Sequence, residues 1–210
     1  GNVLTTVGWP ASDRVLDAGQ NNMLAVAIAE TAAIEHIQNV CDSEGGYVFM
    51  DGWGRVTYHD RLHRTTAPND AIRGIFGDGG MAIGEMPYTG LVLTYDDSQI
   101  WNDIRLTGAA GGAVKQIASD ATSITKYYQR TYEKTGLLLV TDPEVLTEAT
   151  RLLAKYKDPI LRVEEIELMP QKEAAVWSQV LEREIGDKVR IIRRPPGGGS
   201  AITSNVYIEA

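Results

Sequence analysis

A single cysteine, Cys41, among 210 residues leaves no intrachain disulfide to form and no second thiolate for a metal site, so stability must come from packing. A reducing compartment is the expected setting. Positive charge is scarce in the first half: Gly1 to Arg105 holds 6 basic and 14 acidic residues, whereas Leu106 to Ala210 holds 14 of each. The resulting net charge of -8 excludes the broad basic footprint of a nucleic-acid binder, and the acidic half is poorly suited to face phosphate or an anionic membrane. Long apolar runs are missing as well. The stretch Leu24 to Ala29 is far too short to span a bilayer, and no basic segment followed by an apolar core marks the start. What is present is a globular composition, 43% hydrophobic, which excludes disorder as a global description and fits one large domain or two small ones.

The opening Val3-Leu4-Thr5-Thr6-Val7-Gly8-Trp9-Pro10 reads as the last turn of a helix meeting a stop, as in a piece of a longer protein. Met23 to Ile28 suits a short buried strand running into a helix at Glu30-Thr31. Ala33, Ile34, Ile37, Val40 and Cys41 then fall at helical spacing until Gly45-Gly46, which predicts a helix over Thr31 to Glu44 with that stripe facing its neighbour. Tyr47 to Met50 and Arg55 to His59, joined by Asp51-Gly52-Trp53-Gly54, predict a hairpin whose turn uses the glycines' freedom at positive φ. Residues 61 to 87, rich in Thr, Asn, Asp, Gly and Pro, predict an irregular boundary. Beyond it, Leu91 to Tyr95, Ile104 to Thr107 and Val114 to Ile117 predict antiparallel strands. A helix opens at Asp142-Pro143 on the stripe Val145, Leu146, Ala149, Leu152, Leu153 and Tyr156, and stops at Asp158-Pro159. The strand beneath it is expected at Leu161 to Leu168, followed by a short helix at Val176 to Leu181 and strands at Val189 to Ile192 and Val206 to Ile208. Pro195 to Ser200 between the last two predicts a long hairpin loop. The expected fold is therefore α+β: a helix-hairpin module over residues 1–87, then an antiparallel, β-barrel-like domain over 88–210 decorated by two helices.

Chemistry is thinly marked. His59 and His63 are four apart, a metal-binding spacing on a helix, but they follow a hairpin strand and lack the Glu that metalloproteases carry after the first His. Gly77-Asp78-Gly79-Gly80 precedes Met81 and Pro87 instead of opening a helix, so it reads as a loop and not a phosphate cradle. Asp96, Asp97 and Asp103 offer carboxylates with no His, Cys or Ser beside them. Cys41 lies on the apolar stripe, where a thiol behaves as a small hydrophobe. Trp9, Trp53, Trp101 and Trp177 are scattered at turns and strand ends, which favours packing or interfaces over a sugar site. No catalytic, cofactor-binding or metal-ligating residue is assigned, no cofactor is expected, and an interaction protein is favoured over an enzyme.

The order of short motifs carries more. Gly8-Trp9-Pro10, Asp17-Ala18-Gly19, Ala33-Ile34-Glu35-His36-Ile37-Gln38, Asp42-Ser43-Glu44-Gly45-Gly46, and Asp51-Gly52-Trp53-Gly54-Arg55-Val56 followed by His59-Asp60-Arg61 resemble minor tail proteins of actinobacterial siphophages. Tyr95-Asp96-Asp97, Asn102-Asp103-Ile104, Ala118-Ser119-Asp120, Ser123-Ile124, Leu152 to Tyr156, Asp158-Pro159, Gly186 to Val189 and Arg194-Pro195-Pro196-Gly197 are similar to the same family's later segments, in the same order. The resemblance implies a baseplate-hub fold in the virion's tail tip, in which a helix-hairpin module joins tube-like barrels and three subunits ring the tail axis. The family's first barrel is absent from this sequence. Implied partners are copies of the chain and other tail proteins (distal tail, tape measure, other minor tail proteins). DNA would pass in transit without specific binding, and assembly would take place in the bacterial cytoplasm. A carbohydrate-binding or cell-wall-degrading tail module is the alternative, since tail tips meet a cell wall.

Overall fold

The computed structural model describes residues 2–26, 32–95 and 97–209. In chain order its elements are α1 (Asn2–Thr6), β1 (Arg14–Leu16), α2 (Ala33–Glu44), β2 (Tyr47–Met50), β3 (Val56–His59), β4 (Ile72–Gly77), β5 (Gly90–Tyr95) and β6 (Asp103–Gly108). There follow β7 (Gln116–Ser119), α3 (Ala121–Tyr127), β8 (Thr131–Leu137), α4 (Asp142–Tyr156), β9 (Leu161–Glu167), α5 (Val176–Leu181), β10 (Lys188–Arg193) and β11 (Ile202–Tyr207). The α+β mixture is as expected.

The helix-hairpin module forms where its residues dictate. Helix α2 ends at Gly45, whose φ of 72° lets its N–H reach the Cys41 carbonyl at 2.8 Å. Strands β2 and β3 pair antiparallel from Tyr47↔His59 to Met50↔Val56. Their turn is clamped by the Asp51 carboxylate, which accepts the amides of Trp53 (3.0 Å) and Arg55 (2.9 Å). The stripe on α2 is only partly buried as expected: Cys41 is buried, but Ile34 is 56% exposed, and the helix instead buries Ser43 and Glu44 completely. The strand expected at Met23 to Ile28 reduces to one bridge between Met23 and Leu139, with residues 27–31 outside the described residues.

The chain divides into two compact units, each built from two stretches: 1–61 with 96–160, and 62–95 with 161–210. This departs from the linear division into 1–87 and 88–210. The cause is strand pairing across long sequence separations, which leaves no local signature. Strand β4 pairs in parallel with β10, and β5 pairs antiparallel with β9, so residues 72–95 find their backbone partners beyond residue 160. Strand β4 itself lies inside the stretch expected to be irregular. Its glycines disguise it, although they lie where neighbours are close: a Cβ at Gly74 would press on the Gln179 amide and the Phe76 ring, and one at Gly77 would meet the Glu85 side chain.

The expected antiparallel, barrel-like sheet is also corrected. Among the described residues four open sheets form, ordered β1-β3-β2, β11-β10-β4, β5-β9 and β7-β6-β8, and none closes on itself. Three pairings, β1 with β3, β4 with β10 and β6 with β8, are parallel. Alternation along one strand reports which face is buried but not which neighbour is adopted or its direction.

Helix α4 begins as expected. Thr141 and Glu144 form a reciprocal capping box ahead of Pro143. Its stripe, however, lies not on β9, which belongs to the other unit, but on the sheet of β6 and β7. There Val145 and Ala149 join Ile104, Leu106, Leu137 and Leu139 in the core of the first unit. The second unit packs Phe76, Val189 and Ile191 against Leu91, Val163 and Ile166. The hairpin expected around Pro195 to Ser200 is present, with β10 and β11 registered from Lys188↔Tyr207 to Arg193↔Ile202.

Ile104 is wholly buried. Ile104→Ala is expected to destabilise the first unit by about 2 to 5 kcal/mol in urea unfolding. Ile34→Ala, on the outer face of α2, should stay within about 0.5 kcal/mol of the parent.

Candidate functional site

The densest polar cluster of the first unit is built where α2 ends. The fully buried Glu44 carboxylate accepts the backbone N–H groups of Gln20 at 2.7 Å and Asn21 at 3.2 Å. Arg61 lies 3.9 Å from Glu44 through Nε and 3.9 Å from Glu148 through a terminal nitrogen. Glu148, buried on α4, in turn takes Arg151 Nε at 2.7 Å and a second Arg151 nitrogen at 2.5 Å, and these bonds raise the Arg151 pKa above its ordinary value. Asp60 accepts from the Gln20 side chain and donates its own amide to Asp17 at 3.2 Å. Each carboxylate with a resolved donor is thus bound to a group of the same unit, an arrangement suited to holding segments together.

Beside this cluster, in the same unit, is a half-open cavity of about 470 Å³. Leu4 of α1, Ile37, Val40 and Cys41 of α2, and Val48 and Val56 of the sheet line it, with Asp17, Asn21, His36 and Tyr58. Burial and then the neighbouring Asp42 push the Cys41 thiol up to about 11, so it stays protonated near neutrality and is no nucleophile. Burial, reinforced by Glu44, likewise raises the Tyr58 phenol. The Asn21 amide nitrogen is buried in this region without a hydrogen-bond partner among the described residues.

The structure assigns the sequence-marked residues to other tasks. His59 lies edge-on to Phe49 with ring centroids 5.1 Å apart, while His63 opens a short 3-10 turn in the other unit. Among the described residues no group of three or more His, Cys, Asp or Glu is placed to hold a metal ion, and no helix is long and apolar enough to cross a membrane. The Gly77 to Gly80 loop does cradle an anion, but the anion is internal. Gly79 N–H donates to Glu85 at 2.9 Å, and Arg194 grips the same carboxylate at 2.6 and 2.5 Å while also reaching Asp78 at 3.0 Å. The Arg194 hydrogen bond holds Glu85 below the usual carboxylate range. At Asp78, burial acts upward but is outweighed by the Arg194 bonds.

Asp103 is buried and bonded by Gln129 (2.6 Å), Thr131 (2.8 Å) and Arg105 (2.8 Å); burial pushes its carboxyl up, but these donors win and hold it low. Asp97 pairs with Arg130, and Asp96 lies outside the described residues. Trp9 donates to the Asp13 carbonyl at 3.0 Å, and Trp53 stands 84% exposed at the hairpin tip. Trp101 stacks on Tyr132 with centroids 4.5 Å apart, and Trp177 is exposed on α5. Sequence reasoning missed Glu44, Glu148, Arg61 and the Glu85–Arg194 pair. Partners separated by tens of residues carry no spacing signal.

No protein-family model matches the chain, and no curated protein matches it in sequence. Solved structures do match. One, described as the tail protein from Neisseria meningitidis MC58, superposes with a TM-score of 0.58 at 11% identity, over 98% of this chain and 57% of that one. Another, the 43 kDa tail protein of prophage MuSo2 from Shewanella oneidensis, gives a TM-score of 0.48 at 10% identity, over 94% of this chain and 58% of that one. The chain therefore spans less than two thirds of either protein. The first likeness is one of fold: the elements described above are arranged as in part of a tail protein.

Two outcomes follow from the buried ions. Glu44→Ala strands two backbone amides and removes one carboxylate from Arg61, so a loss of about 3 to 5 kcal/mol is expected in urea unfolding. In the second unit the lowered Glu85 and Asp78 contribute stability above the ordinary carboxylate range, and that contribution is lost as pH falls through their depressed values. Thermal melts from about pH 7 down to about pH 3 should therefore show Arg194→Met with a lower Tm than the parent near neutrality, and a gap that closes on acidification. A constant gap would assign the effect of Arg194 to packing alone.

Proposed function

We propose that the chain is a structural part of a phage tail tip, a baseplate-hub or minor tail protein that works by assembling around the tail axis and contacting other tail proteins. The observation that carries this reading is the superposition of 98% of the chain on part of a tail protein. The chemistry agrees with it. The carboxylates that stand out in the two units are tied to arginines, lysines or backbone amides, and the single thiol is kept protonated, which suits a scaffold better than an enzyme.

The sheets support the same reading. Among the described residues β5 and β9 form a two-stranded sheet and the others have three strands, so most strands lie at a sheet edge, with the outer side of β4 bridged by Met86. Such edges invite pairing and are covered in stable proteins, here by neighbouring subunits around residues 91–107 and 160–208. An acidic chain lining a tail channel would let DNA slide past without holding it.

Cryo-EM of a virion carrying this chain tests the proposal. Several copies around the tail axis at the tip, three being expected, would support it. Density on a peripheral fibre, or none in the virion, would overturn it.

A further inference from the structure

Strand β11 ends the sheet β11-β10-β4, and none of its residues is buried. Ile208, just beyond it, donates its N–H to the Asp187 carbonyl at 3.0 Å and accepts the Gly186 N–H at 2.8 Å, so its backbone groups face β10. Strand alternation then turns the N–H and C=O groups of Tyr207, Asn205 and Thr203 away from β10, to a side where the described residues supply no partner. Sheet edges of this kind are normally blunted by charge, proline, a bulge or brevity. Ile202-Thr203-Ser204-Asn205-Val206-Tyr207 has no charge and no proline, and its register with β10 runs from end to end without a bulge.

Beside this edge lies a half-open groove of about 300 Å³, walled by Val163 and Ile166 of β9, Val189 and Ile191 of β10, and Val206 with Ile208 on the β11 side. Among the described residues none of β4 or β5 lines it, so it opens where β9 and β11 are the edge strands of the two sheets. The two edges differ. On β9, Glu165 faces Val92 and Val163 faces Leu93, which leaves Glu164 as the extra residue of a bulge, and both glutamates are exposed. That edge is protected, whereas β11 is not. The groove lining includes Glu164, Glu165 and Glu209 and no basic residue among those described. Arg64 pairs with Glu209 at 2.7 Å, but the carboxylates of Glu164 and Glu165 have no partner among the described residues.

An extended chain laid along β11 would take up its open backbone groups in a ladder. Because side chains alternate between the faces of a sheet, every second one would then point to the side of Val206, into the groove. Aliphatic side chains suit the walls, and a cation suits the two unpaired glutamates. We propose that β11 accepts an added strand from another polypeptide, an extended segment whose groove-facing residues are aliphatic except for one lysine or arginine that meets Glu164 and Glu165. The main chain supplies the affinity and the groove selects the alternate side chains. A second copy of β11 fits less well, because it is uncharged and leaves both glutamates uncompensated. The inference rests on the assembly reading above and specifies one contact within residues 160–208.

The test uses the 210-residue chain and the peptide acetyl-Thr-Val-Thr-Lys-Thr-Val-Thr-amide, whose valines and lysine share one face. With peptide at up to about 1 mM, where weak contacts are populated, amide exchange read by NMR should slow at Thr203, Asn205 and Tyr207 and stay unchanged along β7, another edge strand. A peptide with Glu in place of Lys should bind about tenfold more weakly or worse, and a chain carrying Glu164→Lys with Glu165→Lys should reverse that preference. Thr203→Pro removes one outward N–H and leaves the bonds to β10, so its Tm should stay near the parent's while peptide affinity falls about tenfold or more. If that variant does not fold, the charge-reversed chain, altered only at exposed positions, decides. No binding up to about 1 mM, binding indifferent to the change of Lys to Glu, or protection at a different edge would each overturn strand addition, with the virion position of the chain left to decide the assembly reading. Protection of the same three amides without peptide, together with a dimer in sedimentation equilibrium, would place a second copy on β11 and overturn the foreign strand.

Discussion

Two buried carboxylates, each with its own donors, gather the segments of the first unit. Glu44 closes α2, Glu148 lies in the middle of α4, and Arg61, at the end of the segment that leaves the hairpin, is placed between them. Removing such charges from water is costly, so each must be compensated where it lies. Glu44 is compensated by the Gln20 and Asn21 amides and Glu148 by Arg151, and Arg61 within 3.9 Å of both places the end of α2, the hairpin exit and α4 at one cluster. The surrounding contacts follow the same line. Ser43 Oγ accepts the Leu138 amide at 2.8 Å, Lys134 pairs with Asp42, and the Leu24 amide donates to the Leu138 carbonyl at 2.7 Å. Gly45 has no side chain where one would collide with the Arg151 guanidinium.

The second unit solves its joining problem with the same chemistry and a smaller apolar core. Arg194, beyond β10, reaches back to Glu85 and Asp78 in the segment after β4. Arg64 forks onto Glu209 at 2.7 and 3.3 Å, and Tyr207 donates to the Arg64 carbonyl at 2.9 Å. In both units planar guanidinium groups tie segments that are far apart in sequence, a task that suits the arginine fork and not a lysine point charge. The consequence for function is direct. Side chains that look chemically promising in isolation, such as the carboxylates at 78, 85 and 103, are committed to architecture.

What could be read from the sequence is what is local. The Gly45 stop, the Asp51 turn, the opening of α4 at Pro143 and the loop at Pro195 to Ser200 each depend on residues within a few positions of one another, and each is found where expected. Strand β4 is hidden because its two glycines read as loop, although side chains pack closely over both. Helix α3 and strand β8 are hidden because one is short and the other carries the adjacent charges Glu133-Lys134 and then Gly136. The partner of α4, the parallel pairings and the interleaving of the two units depend on contacts across tens of residues, for which one sequence carries no period. The resemblance to tail proteins, by contrast, uses motif order along nearly the whole chain, and the fold likeness to a tail protein lies in the same direction.

Small sheets also constrain what this chain can be. The core of the second unit centres on Phe76, Val189 and Ile191, supported by partly buried neighbours, and its two sheets are only three and two strands wide, with the outer side of β4 bridged by Met86. A body of that kind gains from any neighbour that covers an edge, and the gain appears only on association. Internal pairing of charge works in the same direction. Once arginines have neutralised the buried carboxylates, the surface keeps an acidic excess that holds free copies apart, so association needs specific apolar anchors to overcome repulsion.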